Sequence, residues 1–214
     1  MGQEKSILED FSEEDKKFIK RCIEFSDESV KNGDAPFGAL IVDGGGEIIA
    51  ESGNGAAEKV SDHAEIIVMD KAHKKIGKSD LSECVLYSNC EPCPMCSFMA
   101  REYKLKKIVF AVHSLYMGGF SKYPILQDEE LSRLKPFFGP EPEVVSGVLE
   151  DEALDVFKKV PAFWAFGYDA RERDPEYNKK KNIEENEELS EEEKICLEKE
   201  AELIQKKSEG ERVD

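Results

Sequence analysis

The sequence is poor in histidine and tryptophan. Its 214 residues contain three histidines, His63, His73 and His113, and a single tryptophan, Trp164. It has no apolar run near the roughly 20 residues that a membrane helix needs, which excludes a helical span. The first residues, MGQEKSILEDFSEEDKK, are polar and acidic and lack the apolar core of a secretory signal. Positive charge is short as well: 30 basic side chains stand against 47 acidic ones, a formal net charge of -17. Residues 171–214, with 16 acids and 10 bases, contribute -6 of it, so the acidity is spread over the chain. Such a surface repels polyanions at long range, which disfavours a nucleic-acid partner without excluding a local basic groove. Six clustered, unevenly spaced cysteines in such a chain point to a reduced, cytoplasmic protein that commits some thiols to metal.

What is present is a succession of short elements. SEEDKKFIKRCIEFSDESVKNG predicts a helix that Ser12 caps and Gly33 ends, with Phe18, Ile19, Cys22 and Ile23 in its apolar stripe. FGALIVDGGGEIIAESG predicts a hairpin around Gly44, Gly45 and Gly46. DHAEIIVMDKAHKKIG predicts a helix ending at Gly77, ECVLYSNC a buried strand, and PMCSFMAREYK a helix opened by Pro94. KKIVFAVH, DEELSRLKPFF, EVVSGVLE and DEALDVFKKVPAFWAF predict a strand, a short helix, a fifth strand and a helix interrupted by Pro161. The order α-β-β-α-β-α-β-α-β-α implies an α/β fold with a mixed or largely parallel sheet and helices on its faces; the expected architecture is a three-layer α/β/α sandwich around a five-stranded mixed sheet. The expected domain covers residues 1–169. Residues 170–214 are mostly charge, with a weak helical stripe at Leu189, Cys196, Leu197 and Leu203. They form either a solvated tail, partly helical or disordered, or a helix that docks on this domain or on a second subunit.

The stretch SNCEPCPMCSF carries the chemistry. Cys90, Cys93 and Cys96 stand three apart, as in the start of an iron–sulfur motif, but the position that would hold the fourth cysteine is Ala100 and no proline follows it. Cys93 and Cys96 straddle a predicted helix start, where free N–H groups and the helix dipole favour thiolate. Cys90 precedes Pro92, outside that helix, and is read as a buried thiol or a neighbour of the site. Two thiolates leave zinc short, and there is no second C-x-x-C pair to complete a structural site. A catalytic site needs one further ligand and an open position for water. His63 fills that need, because Glu65 lies two residues on. His63-Ala64-Glu65, then 26 residues, then Pro92-Cys93-Pro94-Met95-Cys96 make the H-x-E and P-C-x-x-C pair of zinc deaminases. His63, Cys93 and Cys96 are then the ligands, and Glu65 is the proton carrier. His63 and Glu65 share a site only if it lies off the helix N-terminus, since they are about 200° apart around an ideal helix. A competing reading makes Asp62 and Glu65 a capping box. His73 falls on another helical face and is expected to be exposed; His113 ends a strand, where a site role is open.

The segments NGDAPFGALIV, DHAEI, LYSNCEPCPMC and KKIVFAV resemble the guanine deaminase and tRNA adenosine deaminase branch of the cytidine deaminase superfamily, over residues 13–166. The resemblance implies a five-stranded sheet between helices, a Zn2+ cofactor, hydrolytic deamination and a homodimer. APFGALIV, CEPCPMC and the aromatic run Phe163-Trp164-Ala165-Phe166 are closer to the guanine deaminase type. The expected substrate is therefore a small aminoheterocycle, guanine or a related purine, with tRNA adenosine as the alternative. By the same resemblance Asn54, Phe37, Ala64 and Trp164 contact substrate. The run NGAAEKVSDHAE lacks the Pro-Thr usual in this branch, and SLYMGGFSKYPILQD departs from both enzyme types.

Overall fold

The computed structural model describes residues 11–114 and 116–160. Trp164, the aromatic run around it and the charged segment 170–214 lie outside the described residues. The first helix, α1 (Glu13–Lys31), begins where Ser12 Oγ accepts the Asp15 N–H at 3.0 Å, and three acids occupy its first turn. Both features satisfy the helix N-terminus. It stops at Asn32, followed by Gly33 in the left-handed region. Its buried face runs from large to small: Phe18, Ile19 and Cys22, then Ser26 and Ser29. The small end lets backbone approach backbone. A Cβ at Gly38 would run into the Cys22 carbonyl and the Ser26 nitrogen, and one at Gly53 into Ser29 Oγ.

Two strands follow, β1 (Gly38–Val42) and β2 (Ile48–Gly53), paired antiparallel as the triple-glycine hairpin predicts. After α2 (Ala64–Ile76), β3 (Val85–Cys90) pairs antiparallel with β1. After α3 (Pro94–Glu102), β4 (Lys107–Val112) pairs parallel with β3, and β5 (Glu143–Ser146) parallel with β4. The sheet order is β2-β1-β3-β4-β5, a mixed five-stranded sheet. A 3-10 turn (Ile125–Gln127) and the short α4 (Glu129–Arg133) lie between β4 and β5, and α5 (Glu150–Phe157) follows.

Strand pleating sorts the core into two layers. Ala39, Ile41, Leu86, Ile108 and Phe110 pack with Val68, Met69, Cys96 and Ala100 of α2 and α3. Leu40, Val42, Tyr87, Val109 and Ala111 pack with Phe18, Ile19 and Cys22 of α1 and with Leu154 and Phe157 of α5. Every residue of β1 is buried, as expected of a strand covered on both faces. The result is the expected α/β/α sandwich. Among the described residues no helix is long and apolar enough to cross a membrane.

Arg101, near the end of α3, is almost fully buried. Its guanidinium donates to the carbonyls of Ile125, Leu126, Asp128 and Gly139 and to Ser132 Oγ, at 2.7 to 3.4 Å. One side chain thereby fastens the irregular segment between β4 and β5 to α3. Arg101→Met removes these bonds and leaves buried carbonyls without a donor, so urea denaturation is expected to show a loss of about 3 kcal/mol or more.

Candidate active site

The site forms where α2 and α3 begin, beside the carboxyl end of β3. His63 is the N-cap of α2, with φ -63° and ψ 148°, and Cys93 is the N-cap of α3, with φ -65° and ψ 172°. Neither side chain caps its own helix; both project off the helix end. Pro94 occupies the first turn of α3, as its fixed φ allows. Cys96 sits one turn in and is fully buried.

His63 Nδ1, Cys93 Sγ and Cys96 Sγ form a triangle whose three edges are each 3.5 Å. Tetrahedral zinc, with bonds of about 2.3 Å to sulfur and about 2.0 Å to nitrogen, needs edges of roughly 3.5 to 3.8 Å. The donor set fits that metal in both chemistry and spacing, and these three residues form a metal-ligating group among the described residues. Cys90 is not part of it: its thiol is buried in the layer on the α1 side of the sheet, which removes the iron–sulfur reading.

The ligands are electrostatically coupled. The Cys93 thiol is brought down to about 4, first by its contact with the Cys96 thiol and, against the cost of burial, by His63. Cys96 is pushed far up by the same contact and by burial. His63 is raised by its hydrogen bond to Cys93, which outweighs burial. Glu65 is buried beside them and is pushed up to about 7, chiefly by burial and then by the Cys93 thiolate. Its Oε2 lies 3.6 Å from Cys96 Sγ, and its Oε1 accepts from Ser88 Oγ at 3.3 Å. The capping-box reading fails: His63 is the N-cap, and Asp62 is engaged by Lys59 at 2.6 Å. His73 is half-buried against the Tyr103 ring rather than exposed.

Phe37, Asn54 and Ala64 also come together. Asn54 Oδ1 accepts the Ala64 N–H at 3.3 Å, and the Asn54 N–H donates to the Phe37 carbonyl at 3.0 Å. Asn54 Nδ2 donates to Asp34 Oδ1 at 2.7 Å, so both ends of the amide have protein partners. Burial opposes ionisation of Asp34, but N–H donors from Ala57, Asn54 and Ala35 hold its carboxyl below the usual range. The Phe37 ring packs against both core layers and meets Phe157 edge-on at 5.7 Å.

Four residues here were not anticipated. Besides Asp34 and Ser88, Asn89 is fully buried: its amide accepts from the Gly38 N–H and donates to Ser26 Oγ and the Pro36 carbonyl. It thus fixes the 36–38 segment beside the site. Glu91 is buried and accepts the N–H groups of Ser114, Phe120 and Ser121 at 2.7 to 2.9 Å, with His113 Nδ1 at 3.4 Å. It folds the segment after β4 back onto Pro92, where Cβ atoms at Gly118 and Gly119 would collide with Glu91 and Ser97. An acid within C-E-P-C, at the end of an apolar strand, was the available signal. His113 takes part in that clamp rather than in the ligand triangle.

A profile described as the cytidine and deoxycytidylate deaminase zinc-binding region matches residues 12–112. The tRNA-specific adenosine deaminase of Bacillus subtilis (strain 168) is 35% identical over 143 residues, 65% of this chain and 83% of that protein. The guanine deaminase of the same organism is 44% identical over 82 residues, 37% of this chain and 52% of that protein. A solved tRNA:A34 deaminase superposes with a TM-score of 0.59 at 26% identity, covering 65% of this chain and 98% of the other.

Ligands bind metal in their deprotonated forms, and His63 and Cys96 both hold protons more tightly than usual. Zinc affinity is therefore expected to fall as pH drops through 7, by about tenfold or more per unit. Calorimetric titration of the zinc-stripped protein in buffers of different ionisation enthalpy would register the released protons. His63→Ala or Cys96→Ala is expected to abolish stoichiometric zinc.

Proposed function

The chain belongs to the cytidine and deoxycytidylate deaminase family of zinc enzymes, and from that premise we propose that it hydrolytically deaminates a small aminoheterocycle, guanine or a closely related purine. The observation that carries deamination is the buried Glu65 carboxylate against a His-Cys-Cys triangle. Zinc, when bound, makes a water nucleophilic near neutral pH. In the reaction the water oxygen bonds to the ring carbon and the carbon–nitrogen bond breaks. One water proton goes to the ring nitrogen and the other leaves with ammonia. Glu65 is the group that carries them, a buried carboxyl beside the ligands that can accept and return a proton. Ala64 places its backbone at the helix start between Glu65 and the Asn54 amide, and Phe37 lines the neighbouring wall.

Two features support a free base. The excess of 47 acids over 30 bases disfavours a long polyanion. The APFGALIV and CEPCPMC segments resemble the guanine deaminase type. The second reading, a tRNA adenosine deaminase, is favoured by the longer match to that enzyme. Ammonia release from the zinc-loaded protein with guanine, guanosine, adenine, cytosine, pterins and an adenosine-containing anticodon stem-loop separates them. Turnover of guanine or a near relative is expected, and turnover of the stem-loop alone would replace the first reading with the second. Glu65→Gln is expected to lower kcat by about a hundredfold or more with zinc retained.

The chain is also proposed to act as a homodimer. Phe98 meets the Phe138 ring edge-on at 5.0 Å, and Met95 and Phe98 on α3 and Leu134 and Phe137 after α4 are exposed apolar side chains. Light scattering of the full chain is expected to give twice the chain mass; a monomer would remove this assignment.

A further inference from the structure

We propose that Ser88 is a positioning residue for Glu65: its hydroxyl fixes the plane of the carboxylate so that one oxygen faces the metal ligands. Ser88 lies in β3, in register with Ala39 on one side and Phe110 on the other, and is fully buried. A hydroxyl in the middle of a covered strand has a desolvation cost that alanine or valine would not have. Its hydrogen bonds account for its presence. Ser88 Oγ accepts the Cys90 N–H at 3.4 Å, which leaves the hydroxyl proton to be donated. The acceptor is Glu65 Oε1, at 3.3 Å. The other oxygen, Oε2, is the one beside Cys96 Sγ. The sheet thus holds one end of the carboxylate and turns the other toward the ligand triangle.

This hold matters because the last torsion of a glutamate side chain is broad. Without a donor on Oε1 the carboxylate plane is held only from its other contacts, such as Cys96 Sγ on Oε2, and the oxygen that carries the proton is less firmly placed. Small displacements of a proton carrier have large effects on rate. The inference rests on Glu65 as the proton carrier, and it is independent of which base is the substrate.

The test uses the full, zinc-loaded chain and whichever base the wild type deaminates. Ser88→Ala is expected to lower kcat by about 10- to 100-fold, the range seen when an outer-shell partner is lost. KM, zinc stoichiometry and the urea midpoint should stay near wild-type values. Ser88→Thr, which keeps the hydroxyl, should recover most of kcat. An unchanged kcat in Ser88→Ala would overturn the proposal. So would a loss of activity that tracks a loss of zinc or of stability, or a Ser88→Thr variant that folds normally yet is no more active than Ser88→Ala. If the wild type deaminates no base in the panel, the proposed function fails first. The contact is then read from the carboxyl 13C resonance of Glu65, assigned by its disappearance in Glu65→Gln. A shift in Ser88→Ala supports the hold, and an unmoved resonance overturns it.

Discussion

The three 3.5 Å edges between His63, Cys93 and Cys96 set a requirement that the surrounding structure meets. Two helices have to begin at one place, although their first residues are thirty apart in the chain. The sheet achieves this. β3 delivers Cys93 directly past its carboxyl end, and the antiparallel pairing of β1 with β3 brings the 36–38 segment beside that end. Asn54, just past β2, then ties this segment to the first residue of α2 through Phe37 and Ala64. The small face of α1 lets the sheet lie close beneath it, so the ends of the strands stay in register with the helix starts. Helix N-termini also supply what two adjacent thiolates need, namely partial positive charge and free N–H groups.

The electrostatic state of the site follows from crowding. One imidazole, two thiols and a carboxyl within a few ångströms cannot all adopt their solution protonation. The contact between the two thiols lowers Cys93 and raises Cys96, and Glu65 is lifted by burial and by the neighbouring thiolate. Such an arrangement is costly for a fold to hold unless a divalent cation is to replace the protons. The same use of backbone donors recurs at Glu91, whose buried charge is balanced by three backbone N–H groups, which fixes Ser114, Phe120 and Ser121 beside it.

Much of this was legible in the sequence, because the decisive signals are local. Ser12, Gly33, Pro94 and Gly77 mark helix ends through backbone geometry that needs no tertiary context. The His63, Glu65, Cys93 and Cys96 pattern specifies a donor set and a neighbouring carboxylate that suit a zinc site. What stayed hidden depends on which strands neighbour which. Ser88, Asn89 and Glu91 read as polar residues at the end of an apolar run, and their partners lie 23 to 63 residues away. Asp34 carries no local signal of its partner, because Asn54 is twenty residues on, past β2. His73 is half-buried rather than exposed because the Tyr103 ring beside it comes from the end of α3, out of reach of any local signal. The aromatic run at Trp164 and the charged segment after it fall outside the described residues.

Adjacent residues of β3 point to opposite faces, and here each face has its own assignment. Ser88 turns toward α2 and Glu65, while Asn89 turns toward α1 and the loop before β1. Inserting or deleting one residue between Val85 and Ser88 would send the amide to the proton carrier and the hydroxyl to the loop, and would turn Leu86 and Tyr87 into each other's layers. Length in this strand can therefore change only in steps of two without inverting the site. Variation among relatives is expected to appear as substitutions along β3, and insertions to collect in the 54–63 and 113–124 segments, where no pleat has to be kept.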